Sequence, residues 1–140
     1  MSKMKWDKSL SVGVELIDIQ HQEWFRHLNE LAEAMAKTQG ARRIAETLGF
    51  LIDYTKFHFS TEEKYMAEFG YPDREAHQAK HRELRATLAD LDEDFGQEGA
   101  TNKLADAVNT FLGNWLVSHI RTVDLKFGAY LKEKGFMILG

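Results

Sequence analysis

The chain has 140 residues, 44% of them hydrophobic and 29% charged, which suits one domain with a sizeable apolar core. A formal net charge of −4 and the lack of a basic cluster in the sequence argue against nucleic-acid binding. The sequence has no cysteine, no apolar run of about 18 residues and a polar N-terminus, so we expect a cytoplasmic protein without disulfides, iron–sulfur clusters or membrane insertion.

The first part of the chain, residues 1–17, lacks helical periodicity and is predicted to form an extended arm that lies on the body. Four amphipathic segments follow, with apolar residues three or four positions apart. These predicted helices cover residues of about 18–37, 41–69, 73–95 and 102–131. Asp18 and Asp73 are predicted to cap the first and third helices. Short connections between such helices predict an all-α, up-down-up-down four-helix bundle, a single domain over residues 1–140.

Five of the six histidines fall on the apolar faces of these helices, together with two carboxylates. These seven residues are His21, His58, Glu62, His77, His81, His119 and Asp124. In an up-down-up-down bundle they lie toward the same end, within about ten ångströms of one level. Burying polar groups without partners costs several kcal/mol, so we expect them to converge on a shared site. The sixth histidine, His27, is predicted to face water, and Glu63 is predicted to lie off the apolar stripe.

Imidazoles combined with carboxylates suit iron, zinc, copper or manganese, and the residue types do not distinguish these metals. Seven ligands are too many for one zinc ion, which usually takes four, so two ions are the natural number. If both ions are six-coordinate, the imidazoles, two bridging carboxylates and a bridging oxide or hydroxide leave one coordination position. That position would accept one small ligand at one metal.

The spacing between His119 and Asp124 is unusual for two ligands of one site. Five residues on a straight α-helix correspond to about 140° of rotation, so the two side chains would not share a face. One explanation is a π-type bulge between Ile120 and Val123, since such bulges occur at functional sites. The other is that the two side chains reach the site from different sides of the helix.

The motifs QH at 20–21, HFSTE at 58–62, HQAKH at 77–81 and HIRTVD at 119–124 resemble those of the hemerythrins, in particular the single-domain bacterial form, the bacteriohemerythrins. The resemblance implies an oxo- or hydroxo-bridged, non-haem di-iron centre. By the resemblance, such a centre would bind dioxygen reversibly for storage, delivery or buffering, and we expect a protein that is not an enzyme. One iron would be bound by His77, His81 and His119, and the other by His21 and His58, with Glu62 and Asp124 bridging them. We expect a monomer, and an oxygen-consuming enzyme is one candidate partner.

Four apolar residues flank the ligand positions and match oxygen-pocket residues of the family: Phe59, Trp115, Leu116 and Ile120. The sequence departs from the family three residues after the bridging aspartate, where a tyrosine is common and Phe127 stands here. Tyr130 lies one turn further on. Two other functions stay open: a di-iron oxygen or redox sensor, and a di-iron oxidase, peroxidase or nitric oxide reductase. Ferritin-like oxidases use mostly carboxylates with i, i+3 pairs, whereas this chain is rich in histidine.

Overall fold

Four long helices form the protein in a computed structural model that describes residues 4–138. They are α1 (Glu15–Ala36), α2 (Ala41–Glu68), α3 (Arg74–Glu98) and α4 (residues 102–134). Adjacent helices pack against each other, α1 on α2 and α2 on α3, through short connections. The described residues contain no β-strand, so the predicted all-α four-helix bundle is confirmed. None of the helices within 4–138 is both long and apolar enough to cross a membrane.

The start of α1 differs from the prediction, because Asp18 does not cap this helix. The helix begins at Glu15, three residues before the predicted start, and its N-cap residue Val14 makes no side-chain capping bond. Asp18 instead accepts hydrogen bonds from the Val12 backbone N–H (2.9 Å) and from the Ser11 hydroxyl (2.5 Å). The carboxylate therefore fastens the arm to the first turn of α1, where a negative charge is also favourable.

The boundaries of α3 also differ from the prediction. Asp73 stands at the N-cap position, but its side chain makes no capping hydrogen bond. Its Oδ2 atom lies 2.5 Å from the Lys126 Nζ atom, so Asp73 connects the start of α3 to α4. The helix then continues to Glu98, and the loop before α4 shrinks to residues 99–101.

The N-terminal arm is not fully extended, which corrects the prediction for this segment; its first three residues lie outside the described part of the chain. It contains a 3₁₀ turn at Lys8–Leu10. The side chains of Leu10 and Val12 are 5% and 3% exposed, so the arm contributes to the core. Asn29 of α1 binds both backbone groups of Met4, accepting from its N–H (2.9 Å) and donating to its C=O (2.8 Å).

Gly128 of α4 is the point at which the arm approaches the bundle most tightly. A Cβ atom at this position would lie 2.1 Å from the Val12 carbonyl oxygen. We therefore expect Gly128→Ala to displace the arm and to lower the free energy of unfolding by about 1–3 kcal/mol, measured by urea denaturation. Gly49→Ala is the matched control, because a Cβ there meets no atom within 4 Å. It should stabilise α2 by about 0.5–1 kcal/mol, and a shift of the same sign in both variants would contradict the close contact.

The fourth helix, α4, is interrupted by two π-helical turns. It is α-helical over Asn102–Asp106, Leu112–His119 and Leu125–Lys134, and π-helical over Ala107–Phe111 and Ile120–Asp124. In the second turn the Leu125 N–H donates to the Ile120 carbonyl, five residues back. The predicted distortion after His119 is therefore confirmed. The first turn, closed by the Leu112 N–H on the Ala107 carbonyl, was not predicted.

Large apolar side chains fill the bundle on both sides of the predicted ligands. On one side, all four helices contribute buried leucines, among them Leu28, Leu31, Leu48, Leu84, Leu88 and Leu112. On the other side lie Ile17, Met66, Tyr71, Phe127 and Leu131, each at most 6% exposed. Tyr71 reaches this layer because Gly70, at φ 63°, allows α2 to end and the chain to turn inward. The polar side chains between the two layers are consequently shielded from bulk water.

Candidate metal centre

All seven predicted ligands converge inside the bundle, and each is at most 3% exposed. They form two groups, within each of which the candidate ligand atoms all lie within 4.8 Å of one another. The three-histidine group consists of Glu62, His77, His81, His119 and Asp124. The two-histidine group consists of His21, His58, Glu62 and Asp124. Both carboxylates therefore belong to both groups.

Asp124 divides its two oxygens between the groups. Its Oδ2 atom lies 2.9 Å from the His21 Nε2 atom. Its Oδ1 atom lies 3.0 Å from His77 Nε2 and 3.1 Å from His119 Nε2. His119 and Asp124 meet here because the π-helical turn Ile120–Asp124 separates them, and groups five residues apart are bonded in such a turn. The local distortion of α4 thus brings two candidate ligands from one helix to the same site.

Glu62 contacts histidines of both groups through a single oxygen. Its Oε1 atom lies 3.2 Å from His81 Nε2 and 3.6 Å from both His58 Nε2 and His77 Nε2. His58 and Glu62 are four residues apart on regular α-helix, so both project from the same face of α2. The glutamate side chain is longer and reaches the centre from a regular helix. The shorter aspartate does so at a distorted turn of α4.

The polar atoms that face the centre of the cluster lack hydrogen-bond partners. These atoms are the Nε2 nitrogens of His21, His58, His77, His81 and His119 and both carboxylate oxygens of Glu62 and Asp124. Their mutual contacts are close but do not have hydrogen-bond geometry. Buried polar groups that remain unpaired are costly, so a cluster of this size needs another partner. A cation that accepts lone pairs from nitrogen and oxygen together fits this donor set.

The two carboxylates are held in the ionised form that a cation requires. Burial raises the pKa of Asp124, but the His119, His21 and His77 side chains outweigh it and keep this pKa well below its usual range. Burial and Asp124 raise the pKa of Glu62, yet the surrounding histidines lower it to about 2. The centre therefore carries two negative charges that can neutralise a bound metal.

The histidines differ in how readily they offer a lone pair. Burial lowers the pKa of His58 to about 4, so this imidazole is neutral at physiological pH. Burial also lowers the pKa of His77, but Asp124 and Glu62 outweigh that effect and raise it to about 9. A cation bound by His77 must consequently displace a proton, which couples metal binding to proton release.

Two of the histidines are held from behind by side chains that were not predicted to belong to the site. The Nδ1 atom of His58 lies 2.7 Å from Gln20 Oε1, and that of His81 lies 2.7 Å from Glu63 Oε2. Glu63 lies off the apolar stripe as predicted and is partly exposed, yet its carboxylate reaches the site by contacting His81. A sequence signal exists for both residues, since Gln20 precedes the inward His21 and Glu63 follows the inward Glu62. Neighbours of a buried ligand flank it on the helix surface, where they can reach the outer edge of another ligand.

Aromatic rings pack directly on the imidazoles. Phe59, which is fully buried, stacks on His81 with ring centroids 3.7 Å apart and an interplanar angle of 4°. Trp115 stacks on His119 at 4.5 Å, but it is only half-buried and lines a surface cavity of about 210 Å³. Trp24 is not among the predicted pocket residues, yet its ring lies 5.0 Å from that of His58.

The other two predicted pocket residues, Leu116 and Ile120, are buried at 1% and 0% exposure. Phe127 is also fully buried, and its ring lies 6.1 Å from that of His77. The Tyr130 hydroxyl donates to the Phe69 carbonyl (2.8 Å) at the end of α2, so it binds backbone and not the ligands. The cluster is thus lined by apolar groups where hemerythrins often place a tyrosine.

His27 belongs to neither group, but it does not face water as predicted. It is half-buried, and its ring packs on that of Tyr54 with centroids 5.0 Å apart. Burial lowers the pKa of His27, as expected for an imidazole without a carboxylate beside its ring nitrogens. The sixth histidine is therefore a packing residue outside the cluster.

Comparisons with known proteins agree with this geometry. A family model described as the hemerythrin HHE cation binding domain matches residues 12–131. The chain is 33% identical to a bacteriohemerythrin of Stenotrophomonas maltophilia, over 94% of this chain and 84% of the relative. It is 35% identical to a bacteriohemerythrin of Methylococcus capsulatus, over 94% and 98%. A crystal structure of wild-type hemerythrin superposes with a TM-score of 0.84 at 35% identity, over 91% of this chain and 97% of that one. The chain belongs to the hemerythrin family.

Proposed function

We propose that this chain binds dioxygen reversibly at a pair of bridged iron ions and so stores, delivers or buffers oxygen. The observation that supports the proposal is the pair of buried ligand groups that share both Glu62 and Asp124. Shared carboxylates place two cations side by side, and the Asp124 oxygens already face opposite groups. On this proposal the protein acts as a carrier and not as an enzyme.

The unequal size of the two groups assigns different tasks to the two metals. The three-histidine group supplies five side chains and the two-histidine group supplies four. His21 and His58, with the two shared carboxylates, would hold the metal that receives one side chain fewer, and we assign dioxygen to that metal. Ferrous iron, when bound, would supply the electrons that dioxygen takes up on binding and returns on release.

The aromatic side chains near the two-histidine group exclude water. Trp24 and Phe59 are fully buried, and their rings lie 5.0 Å and 6.1 Å from that of His58. The Trp24 Nε1–H donates to the Thr55 hydroxyl (2.9 Å), so its polar edge is satisfied away from the pocket. A dry pocket withholds the protons that would convert bound dioxygen irreversibly to reduced products.

The buried polar residues also favour reversible binding over oxygen activation. Besides the seven candidate ligands, the buried hydrogen-bonding side chains within residues 4–138 include Gln20, Thr47, Thr55 and the phenol of Tyr71. The amide and the two hydroxyls of Gln20, Thr47 and Thr55 are not acids or bases, and burial raises the pKa of Tyr71 to about 12, which makes this phenol a weak proton donor. Glu63 does carry a carboxylate, but it contacts His81 through the outer ring nitrogen. It is therefore separated from the ligand pocket by the imidazole.

The proposal is tested by loading the protein with ferrous iron without air and recording its absorption spectrum. We expect two irons per chain and a visible charge-transfer band that appears in air, disappears under argon and returns on re-exposure. Zinc-loaded protein is the control, because zinc has no redox chemistry and should give no band. A band that forms once and does not reverse, or steady consumption of peroxide, would contradict the proposal.

A further inference from the structure

The Nδ1 atoms of the ligand histidines, which are the outer ring nitrogens because they point away from the centre, have unequal partners. His58, in the two-histidine group, faces the neutral amide oxygen of Gln20 at 2.7 Å. His81, in the three-histidine group, faces the carboxylate of Glu63 at the same distance. The outer nitrogens of the other three ligand histidines have no hydrogen-bond partner within residues 4–138. In that part of the chain, Glu63 is therefore the only anionic group that contacts an outer ring nitrogen.

Glu63 is held in place by a positive charge and by packing. The Arg85 Nη2 atom lies 3.3 Å from Glu63 Oε2. The Arg85 guanidinium also lies 5.4 Å from the centre of the Phe59 ring, and His81 stacks on that ring at 3.7 Å. A carboxylate, a guanidinium and two stacked rings thus fix one another, so the contact between Glu63 and His81 is built into the fold.

Gln20 also has a neighbour that orients it, but it carries no charge. It is 5% exposed, and its Nε2 atom is within 3.5 Å of the Thr61 hydroxyl oxygen. Thr61 in turn donates to the Phe57 carbonyl at 3.0 Å. These hydrogen bonds through Thr61 orient the Gln20 amide so that its oxygen accepts from the His58 ring. Both histidines consequently present Nε2 to the centre, one backed by a dipole and the other by a full negative charge.

We propose that Glu63 and Gln20 are positioning residues that make the two irons unequal, so that the iron of the three-histidine group is oxidised first. The inference rests on the proposed function, because it requires an iron pair. It adds an order of electron loss that the ligand set alone does not contain. In each step one iron changes from ferrous to ferric, and the electron is taken by the oxidant, dioxygen in the cell or ferricyanide in a titration.

The direction follows from the hydrogen bond to the ring. An imidazole that donates to a carboxylate becomes a more basic ligand, and more electron donation stabilises ferric over ferrous iron. A hydrogen bond to a charged acceptor is roughly twice as strong as one to a neutral amide. His81 therefore favours the ferric state of its iron more than His58 does.

Glu63→Gln tests the inference, because it keeps the shape and the hydrogen-bond acceptor but removes the charge. In a potentiometric titration with ferricyanide, the potential of the first oxidation step should rise by about 59 mV. For one electron this corresponds to about a tenfold change in the equilibrium constant of that step. Glu93→Gln makes the same change in net charge at an exposed position of α3, about 18 Å further along the helix from His81. The inference is overturned if both variants retain two irons and Glu63→Gln shifts the first step no more than Glu93→Gln.

The reciprocal variant Gln20→Glu should move the other step. A carboxylate behind His58 would stabilise ferric iron in the two-histidine group, so the second oxidation step should fall to lower potential. Displacement of the first step instead would overturn the assignment of the two groups. Because this variant buries a new charge, its iron content must be measured before its potentials are compared with those of the native protein.

A measurement on the native protein keeps the inference testable if either variant fails to fold. In protein oxidised by one electron, pulsed electron paramagnetic resonance counts the imidazole nitrogens coupled to the ferric ion. We expect three, and a count of two would overturn the proposal. Failure of the proposed function is distinguishable, since it would appear earlier as fewer than two irons or as a band that does not reverse.

Discussion

On the proposed function, Asp124→Ala should abolish the iron pair, lowering the iron content from the expected two per chain to one or none. Three imidazole Nε2 atoms lie within 3.1 Å of the Asp124 oxygens, and they come from both ligand groups. Residues that only support a ligand already contribute 10–100-fold to metal affinity, so loss of a shared ligand should cost more than about 100-fold. Iron analysis and the visible band measure the effect directly.

The control for this substitution is Asp90→Ala, an exposed aspartate on α3. It makes the same chemical change outside the cluster and should leave two irons and an unaltered band. Thermal unfolding supplies a second measurement, because metal that binds only the folded state raises the melting temperature. Added ferrous iron should stabilise Asp90→Ala and the native protein but not Asp124→Ala. Full iron loading of Asp124→Ala would show that the carboxylate is not shared between two metals.

The bundle and the positions of the ligands could be predicted because both depend on helical periodicity. A residue on the apolar stripe of a long helix must point inward, whatever its chemistry, so inward histidines are visible in the sequence. Alternating helix direction then brings His21, His58, His77 and His119 toward one level, as the contacts around Asp124 and Glu62 require. The prediction needed no side-chain detail, because the joint occurrence of five inward histidines and two inward carboxylates sufficed.

The prediction failed where a polar side chain chooses among several nearby partners. Asp18 has the residue type of an N-cap, but the arm offers it the Val12 N–H and the Ser11 hydroxyl. Glu63 lies beside the stripe, and its position alone does not indicate whether it turns to solvent or to His81. Such choices depend on the path of the neighbouring chain: Arg85 lies on another helix from Glu63, and the arm turns back onto Asp18 just before α1 begins.

Of the two π-helical turns, one could be predicted from the sequence and the other could not. The turn at Ile120–Asp124 was one of two explanations for the spacing of His119 and Asp124, because two inward ligands constrained the backbone. The turn at Ala107–Phe111 has no pair of ligands across it, and so no spacing in the sequence indicated it. A distortion is predictable from sequence when function fixes side chains on both sides of it.

His119→Ala should remove the iron of the three-histidine group, whereas His27→Ala should leave both irons in place. His119 supplies one of the three imidazoles of that group, and its ring also supports Trp115 by stacking at 4.5 Å. We expect metal affinity at this position to fall by more than about 100-fold, with loss of the visible band. His27→Ala removes a ring of the same size that packs on Tyr54, so a loss of about 1 kcal/mol of stability is its expected effect.

The comparison separates the role of a ligand from that of a packed imidazole, because both substitutions delete a ring that contacts an aromatic partner. Excess ferrous iron should raise the melting temperature of His27→Ala as much as that of the native protein, and His119→Ala should respond less. Exogenous imidazole offers a further discrimination, since it can enter the space left by His119 and restore a nitrogen to the metal. Recovery of the band in His119→Ala on addition of imidazole would identify a missing ligand. Equal loss of iron in both variants would mean that histidines on any helix face support the centre through folding alone.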